Sequence, residues 1–173
     1  TAVHILLDSS GSMTDSGLML ANAVCYAVGK ALQGISGVNL GITAFPGANR
    51  AKRGTTVAPV LRHGEKLTAR FPEIAYGMTP MAESLWWVMQ QMCLLRENRK
   101  IILIITDGEP DSIPAAQEVL RQAQKKGFEC YGLGIMCPSI STLLPHASRV
   151  VETLPQLAPA LFELLEGALR RNA

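Results

Sequence analysis

Short apolar runs alternate with longer amphipathic stretches along most of the chain. The runs at residues 3–8 and 100–107 are almost wholly apolar and end in Asp, as expected for strands that are covered on both faces of a sheet. Pro59 cannot donate a ladder hydrogen bond, so its run is expected at a sheet edge. The predicted strands are Val3–Asp8, Val38–Phe45, Thr55–Leu61, Lys100–Asp107, Phe128–Ile135 and Arg149–Thr153.

The amphipathic stretches carry apolar residues at steps of three and four, which is the pattern of helices with one buried face. Gly34 and Gly127 follow two of them as stop signals, and Thr79 is placed to cap a third. The predicted helices are Gly17–Leu32, Pro80–Leu95, Ile113–Lys126 and Pro155–Arg171.

Strands separated by helices indicate right-handed crossovers and therefore a mostly parallel sheet. The prediction is an α/β fold, a doubly wound six-stranded sheet with helices on both faces. The run at 100–107 is the most apolar and is expected at the centre of the sheet. With 173 residues, the chain is expected to form a single domain over residues 1–173.

Composition excludes some classes of function. A net charge of +2 without a long basic run argues against nucleic acid, and no apolar run approaches the roughly 20 residues of a membrane span. The chain opens on Thr1 without a signal-like segment, so we expect a piece of a longer protein. The four cysteines lack zinc-site spacing and are expected to be structural, in a reducing, cytoplasmic compartment.

Polar residues cluster where the chain leaves predicted strands or enters a helix. Asp8-Ser9-Ser10-Gly11-Ser12 ends the first strand, Gly77-Met78-Thr79-Pro80 precedes a helix, and Asp107-Gly108 ends the central strand. Ligands of open α/β sheets bind outside the carboxyl ends of the strands. Two carboxylates and three hydroxyls at that edge suit a hard divalent cation that keeps an open coordination position.

The pattern of Asp8-x-Ser10-x-Ser12, a later Thr79 and Asp107 in Thr-Asp-Gly resembles the metal-ion-dependent adhesion site of von Willebrand factor A domains. The resemblance implies that Ser10 and Ser12 bind the ion directly. It implies that Thr79 does so in the ligand-engaged state, while Asp8 and Asp107 often act through water. A Glu or Asp of a partner protein would complete the coordination of Mg²⁺, with Mn²⁺ or Ca²⁺ as alternatives.

Within that family, residues 77–87 and 99–110 are similar to the C-terminal domain of cobaltochelatase-type subunits and of nitric oxide reductase activation proteins. This resemblance implies a bacterial adaptor that works with a hexameric MoxR-type ATPase in metal insertion or enzyme maturation. The alternatives are a surface adhesion domain with the same site, a metal-dependent hydrolase, or a turn with no ligand at all.

Catalysis has little support in the sequence. A haloacid dehalogenase-type phosphatase needs a second Asp two positions after the first, where this chain has Ser10, and there is neither a Gly-x-Ser-x-Gly elbow nor a Walker loop. His4, His63 and His146 have no motif context.

Some residues near these motifs allow two interpretations. Trp86 and Trp87 point about 100° apart on a helix, so that either both are core residues or one is an exposed partner anchor. The basic residues of the 47–54 connection are either solvated or steer an acidic partner. Glu109 and Asp111 are expected in a solvated loop, although they could tune the site.

Overall fold

Six strands form one sheet, and helices connect most of them. The computed structural model describes residues 1–47, 57–68 and 70–170, without the side chain of Leu154. The strands are β1 (Ala2–Asp8), β2 (Asn39–Phe45), β3 (Ala58–Leu61), β4 (Lys100–Thr106), β5 (Phe128–Ile135) and β6 (Ser148–Val151). The helices are α1 (Thr14–Gln33), α2 (Met81–Cys93), α3 (Ile113–Lys125), α4 (Ser139–Leu143) and α5 (Leu157–Arg170).

The strand order is β3-β2-β1-β4-β5-β6, and every neighbouring pair is parallel except β2 with β3. This confirms the predicted doubly wound, mostly parallel sheet, with β4 at its centre and the strand that contains Pro59 at its edge. The chain leaves β1 towards one side of the sheet and β4 towards the other. The carboxyl ends of β1 and β4 therefore form the switch point where ligands bind in such folds.

Alternate residues of the central strands pack into two separate cores, one on each face. On one face, Val3, Ile5 and Leu7 pack with the buried sides of α1 and α5. On the other face, Leu6 and Ile104 pack with α2, α3 and α4. Burial on both faces explains why these strands are continuous apolar runs, and it makes the sheet a rigid base for its carboxyl edge.

Several predicted boundaries and environments are wrong. Helix α1 begins at Thr14, three residues before the predicted start, because a 3-10 turn at Gly11–Met13 leads into it. The short α4 was missed, since five residues show too little periodicity. The apolar helical pattern around Cys93 predicts a buried side chain, but Cys93 is exposed. Part of the predicted Thr55–Leu61 strand and all of Arg50, Lys52 and Arg53 lie outside the described residues.

The two tryptophans of α2 differ in environment. Trp86 is 44% exposed, whereas Trp87 is partly buried against the second core. The interpretation that both belong to the core is therefore wrong, and an anchoring role for Trp86 stays a prediction. Within the described ranges, no helix combines the length and the apolar character needed to cross a membrane.

Candidate cation site

The predicted site lies at the switch point of the sheet. Asp8 is the last residue of β1 and Asp107 directly follows β4. The register pairs Leu7 with Ile105, so that Asp8 lies beside Thr106 and Asp107 extends one residue further. Parallel pairing of the two central strands thus brings residues 98 or more positions apart in sequence to one edge.

Asp8 is fully buried and each of its carboxylate oxygens has a hydrogen-bond donor. The backbone N–H of Ser10 donates to Oδ1 at 2.8 Å, and the Thr106 hydroxyl donates to Oδ2 at 2.5 Å. These two bonds hold the carboxylate in one orientation at the end of β1. The role of Thr106 could not be predicted from the sequence, because it depends on the strand register.

A chain of side-chain oxygens runs from Ser10 to Asp107 across the sheet edge. Ser10 Oγ and Ser12 Oγ are 3.0 Å apart, and Ser12 Oγ donates to Asp107 Oδ1 at 2.7 Å. Ser10 is buried, whereas Ser12 is exposed and Asp107 half-buried. Because Ser12 is exposed, the site is open towards solvent at this end of the row of oxygens.

Thr79 reaches the same place from the loop before α2. The predicted capping role is wrong: Pro80 is the N-cap residue of α2, and no side chain caps this end. The Thr79 backbone is instead held by Asp111, whose Oδ1 accepts from Thr79 N–H at 2.8 Å and whose own N–H donates to Thr79 O at 3.0 Å. Asp111 is exposed as predicted, but it is a hydrogen-bonded part of the site rather than a purely solvated residue.

The oxygens surround a space beside Gly108. A Cβ at residue 108 would lie 3.2 Å from Ser12 Oγ, 3.4 Å from Thr79 Oγ1 and 4.0 Å from Asp8 Oδ2. Three side chains from two segments, residues 8–12 and the loop before α2, therefore face one point that a methyl group would fill. The absence of a side chain at Gly108 keeps this space open.

Burial disfavours the charged form of both carboxylates. Removal from water raises the pKa of Asp8 to about 6, and the hydrogen bonds from Thr106 and Ser10 only partly oppose that rise. Repulsion from Asp107 adds to it. Burial also raises the pKa of Asp107. In the described part of the chain neither carboxylate forms a salt bridge, so a cation at this point would relieve the burial cost of both.

The donor set fits a hard divalent cation. All the candidate ligands are oxygens, and two carboxylates balance a charge of +2. Over residues 1–47, 57–68 and 70–170 there is no group of three or more His, Cys, Asp or Glu side chains suited to a metal. Metal binding at this edge would therefore depend on the three hydroxyls as well as on the carboxylates.

None of the three histidines joins this site through a hydrogen bond among the described residues. His4 lies near the start of β1 and contacts His63: His4 Nδ1 and His63 Nε2 are 3.0 Å apart, and His4 Nε2 lies 2.9 Å from Thr43 Oγ1. Sequence reasoning missed this pair, because the partners are 59 positions apart. A general base beside Asp8 is not evident in the described residues.

Comparison with known proteins identifies the domain. A family model for the von Willebrand factor type A domain matches residues 2–160. The chain belongs to this family. Domains of the family are, in general, interaction and adhesion modules. A sequence search of curated proteins finds no significant match.

Solved structures share the fold of this von Willebrand factor type A (VWA) domain at low sequence identity. Proximal thread matrix protein 1 of the mussel byssus, with a zinc-occupied metal-ion-dependent adhesion site, has a TM-score of 0.77 at 12% identity over 96% of this chain. The pilus adhesin SpaC of Lactobacillus rhamnosus GG reaches 0.81 at 14% identity over 96%. Manganese-loaded TRAP protein of Plasmodium vivax reaches 0.68 at 17% identity over 95%.

These proteins are longer than the VWA domain described here. The chain spans 45% of the mussel protein, 30% of the pilus adhesin and 73% of the Plasmodium protein. At these identities the likeness extends to the fold alone.

Proposed function

We propose that this VWA domain binds a divalent cation and uses it to grip an Asp or Glu carboxylate of a partner protein. The ligands would be Asp8, Ser10, Ser12, Thr79 and Asp107. The observation that carries the proposal is that Ser12 Oγ, Thr79 Oγ1 and Asp8 Oδ2 lie within 4.0 Å of one point beside Gly108. Ser12 Oγ is in turn in hydrogen-bond contact with Ser10 Oγ and Asp107 Oδ1.

The ligand chemistry favours Mg²⁺, with Mn²⁺ or Ca²⁺ as alternatives. Mg²⁺ is usually held by one or two carboxylates and completes its octahedron with waters or with oxygens of a bound partner. Because Ser10, Ser12 and Thr79 are neutral, they leave the ion electron-poor. Such an ion attracts a further carboxylate, and the exposed Ser12 marks the side from which that carboxylate would enter.

Calorimetric titration of metal-stripped protein with Mg²⁺ and Mn²⁺ tests the proposal. Ser12→Ala removes one exposed hydroxyl of the site and should leave the fold intact while weakening cation binding by about tenfold or more. Ser16→Ala is the matched control, since it removes an exposed hydroxyl four residues along the chain. Equal cation affinity in all three proteins would refute the assignment of these ligands.

The more specific form of the proposal is an adaptor for a hexameric MoxR-type ATPase in the bacterial cytoplasm, in metal insertion or enzyme maturation. It rests on the similarity of residues 77–87 and 99–110 to cobaltochelatase-type subunits and nitric oxide reductase activation proteins. All four cysteines are free, which suits a reducing compartment. Affinity capture of the ATPase by the full-length protein, lost with chelator and with Ser12→Ala, would support this role.

A surface adhesion domain is the alternative, because the same site would serve it equally well. The mussel thread matrix protein and the pilus adhesin, which share the fold, bear names that point to such settings. A full-length protein found at the cell surface, with no ATPase captured, would favour this alternative. A metal-dependent hydrolase is the least supported alternative, and cation-dependent turnover of generic phosphoesters would be needed to support it.

A further inference from the structure

A row of exposed apolar side chains begins directly beside the candidate cation site. Ile74, Tyr76 and Met78 are 47%, 61% and 70% exposed, whereas Ala75 packs inward against the first core. A contiguous exposed apolar patch, unlike single scattered apolar side chains, typically marks a surface that binds a ligand or a partner.

Hydrogen bonds tie this row to the loop that carries the candidate ligands. Tyr76 N–H donates to Ser9 O at 2.9 Å, and Gly11 N–H donates to Gly77 O at 3.1 Å. Ala75 N–H donates to Asp15 Oδ1 at 3.0 Å. The backbone of the row is therefore held next to Ser10 and Ser12, and its ordering entropy has already been lost before a partner binds.

The row continues into a groove that lies between α1 and residues 71–73, the residues directly before the row. The groove has a volume of about 560 Å³. Asn22 Nδ2 donates to Pro72 O at 2.6 Å and joins the two walls, and Met19 on the rim is 66% exposed. The lining residues are Met19, Asn22, Ala23, Tyr26, Phe71, Pro72 and Glu73.

From this continuity we propose that the partner binds as an extended segment that places a carboxylate on the cation and a large apolar side chain in the groove. This inference rests on the proposed function. The groove alone would accept many apolar groups, but its connection to the cation site through residues 74–78 selects a segment that carries both chemistries.

The geometry of α1 sets the spacing of the two groups. Helix α1 starts at Thr14 beside the cation site, and the groove extends along it from Met19 to Tyr26. At about 1.5 Å per helical residue, the groove lies roughly 8 to 18 Å from the start of the helix. An extended segment rises about 3.3 Å per residue, so the apolar residue should lie about three to five residues from the carboxylate.

The test uses peptides with one Glu and one Trp, in both orders and at separations of one to eight residues, in a Gly-Ser background. Binding to the protein in Mg²⁺ is followed by NMR of methyl-labelled methionines, in which Met19 and Met78 report on the groove and the row. We expect the affinity to peak at separations of about three to five, about tenfold above a Glu-only peptide. Replacing Glu by Gln or removing Mg²⁺ should abolish that gain.

Matched variants distinguish binding in the groove from non-specific binding to exposed apolar residues. Met19→Ser and Tyr76→Ser should each remove the spacing preference, and Leu94→Ser, at a position 82% exposed after α2, should retain it. Equal affinity at all separations would overturn the inference while leaving the proposed function intact. Methyl shifts that change with protein concentration alone would also overturn it, in favour of a second copy in the groove. If the wild-type protein shows no calorimetric Mg²⁺ binding, the proposed function itself is rejected instead.

Discussion

Asp111 and Thr79 exchange two hydrogen bonds, one through the Asp111 carboxylate at 2.8 Å and one between backbones at 3.0 Å. The exposed Asp111 lies beyond β4, whereas Thr79 lies in the loop before α2. The pair therefore connects the loop that delivers a candidate ligand to the strand end that delivers another. Asp111 is in this sense a positioning residue, since it holds the backbone of Thr79 without contacting the space beside Gly108.

Asp111→Ala should weaken Mg²⁺ binding by about tenfold, because the loop that holds Thr79 loses its tie. The fold should survive, since Asp111 is exposed. Calorimetric titration with Mg²⁺ measures the affinity, and thermal melting checks the fold. Asp111→Asn keeps an acceptor for Thr79 N–H and should restore most of the affinity. If the Asn variant binds as poorly as the Ala variant, the charge of Asp111 rather than its hydrogen bond is what the site needs.

Gly108→Ala should block the site without unfolding the protein. The added methyl would lie 3.2 Å from Ser12 Oγ and 3.4 Å from Thr79 Oγ1, inside the space where the cation is proposed. We expect loss of measurable Mg²⁺ binding at an almost unchanged melting temperature. Gly167→Ala is the control, because a Cβ there meets nothing within 4 Å and should leave binding unchanged. Full Mg²⁺ affinity in Gly108→Ala would show that the ion binds elsewhere.

Cation affinity should rise as the pH increases from about 5 to 7. The pKa of Asp8 is raised to about 6 by burial, and a cation must displace its proton. Calorimetry at several pH values would detect this rise together with proton release on binding. A flat affinity profile across pH 5 to 7 would show that Asp8 takes no part in binding.

Ionisation of Asp8 should lower the stability of the cation-free protein as the pH rises, whereas it raises the cation affinity. A carboxyl with a raised pKa binds its proton more tightly in the folded state, so its contribution favours folding at low pH and is lost as the pH rises from about 4 to 6. Asp8→Asn removes the charge and should stabilise the cation-free protein at pH 7, by at most about 3 kcal/mol. Urea unfolding with chelator present measures the difference. A destabilised Asn variant would mean that the hydrogen bonds of the carboxylate outweigh its desolvation.

The His4–His63 pair should make the fold sensitive to acid. Burial and the neighbouring His63 hold the pKa of His4 well below its usual value, and burial also lowers that of His63. Groups with a lowered pKa resist protonation in the folded state. Their contribution to the free energy of unfolding is therefore fully present above pH 6.5 and is lost as the pH falls below that value. The difference in unfolding free energy between the wild type and His63→Gln should shrink between pH 7.5 and 5. The exposed His146→Gln serves as the control.

The sequence by itself determined the fold class and the identity of the candidate ligands. Apolar runs on strands buried on both faces, and three- and four-residue periodicity on helices, are local signals of packing, and they predicted the order of the elements. The motifs at Asp8, Thr79 and Asp107 follow strands or precede a helix, and the ends of parallel strands necessarily meet at one edge. The meeting of Asp8 and Asp107 was therefore predictable before any distance was known.

The tertiary structure alone decided which groups support the ligands. Thr106 acts on Asp8 through the strand register, Asp111 acts on Thr79 across 32 positions, and His4 finds His63 across 59. The apolar row at residues 74–78 is likewise placed beside the site by hydrogen bonds to the loop after β1 and to the first turn of α1. Such contacts form between segments that share no local pattern, because only chain packing brings them within hydrogen-bonding distance.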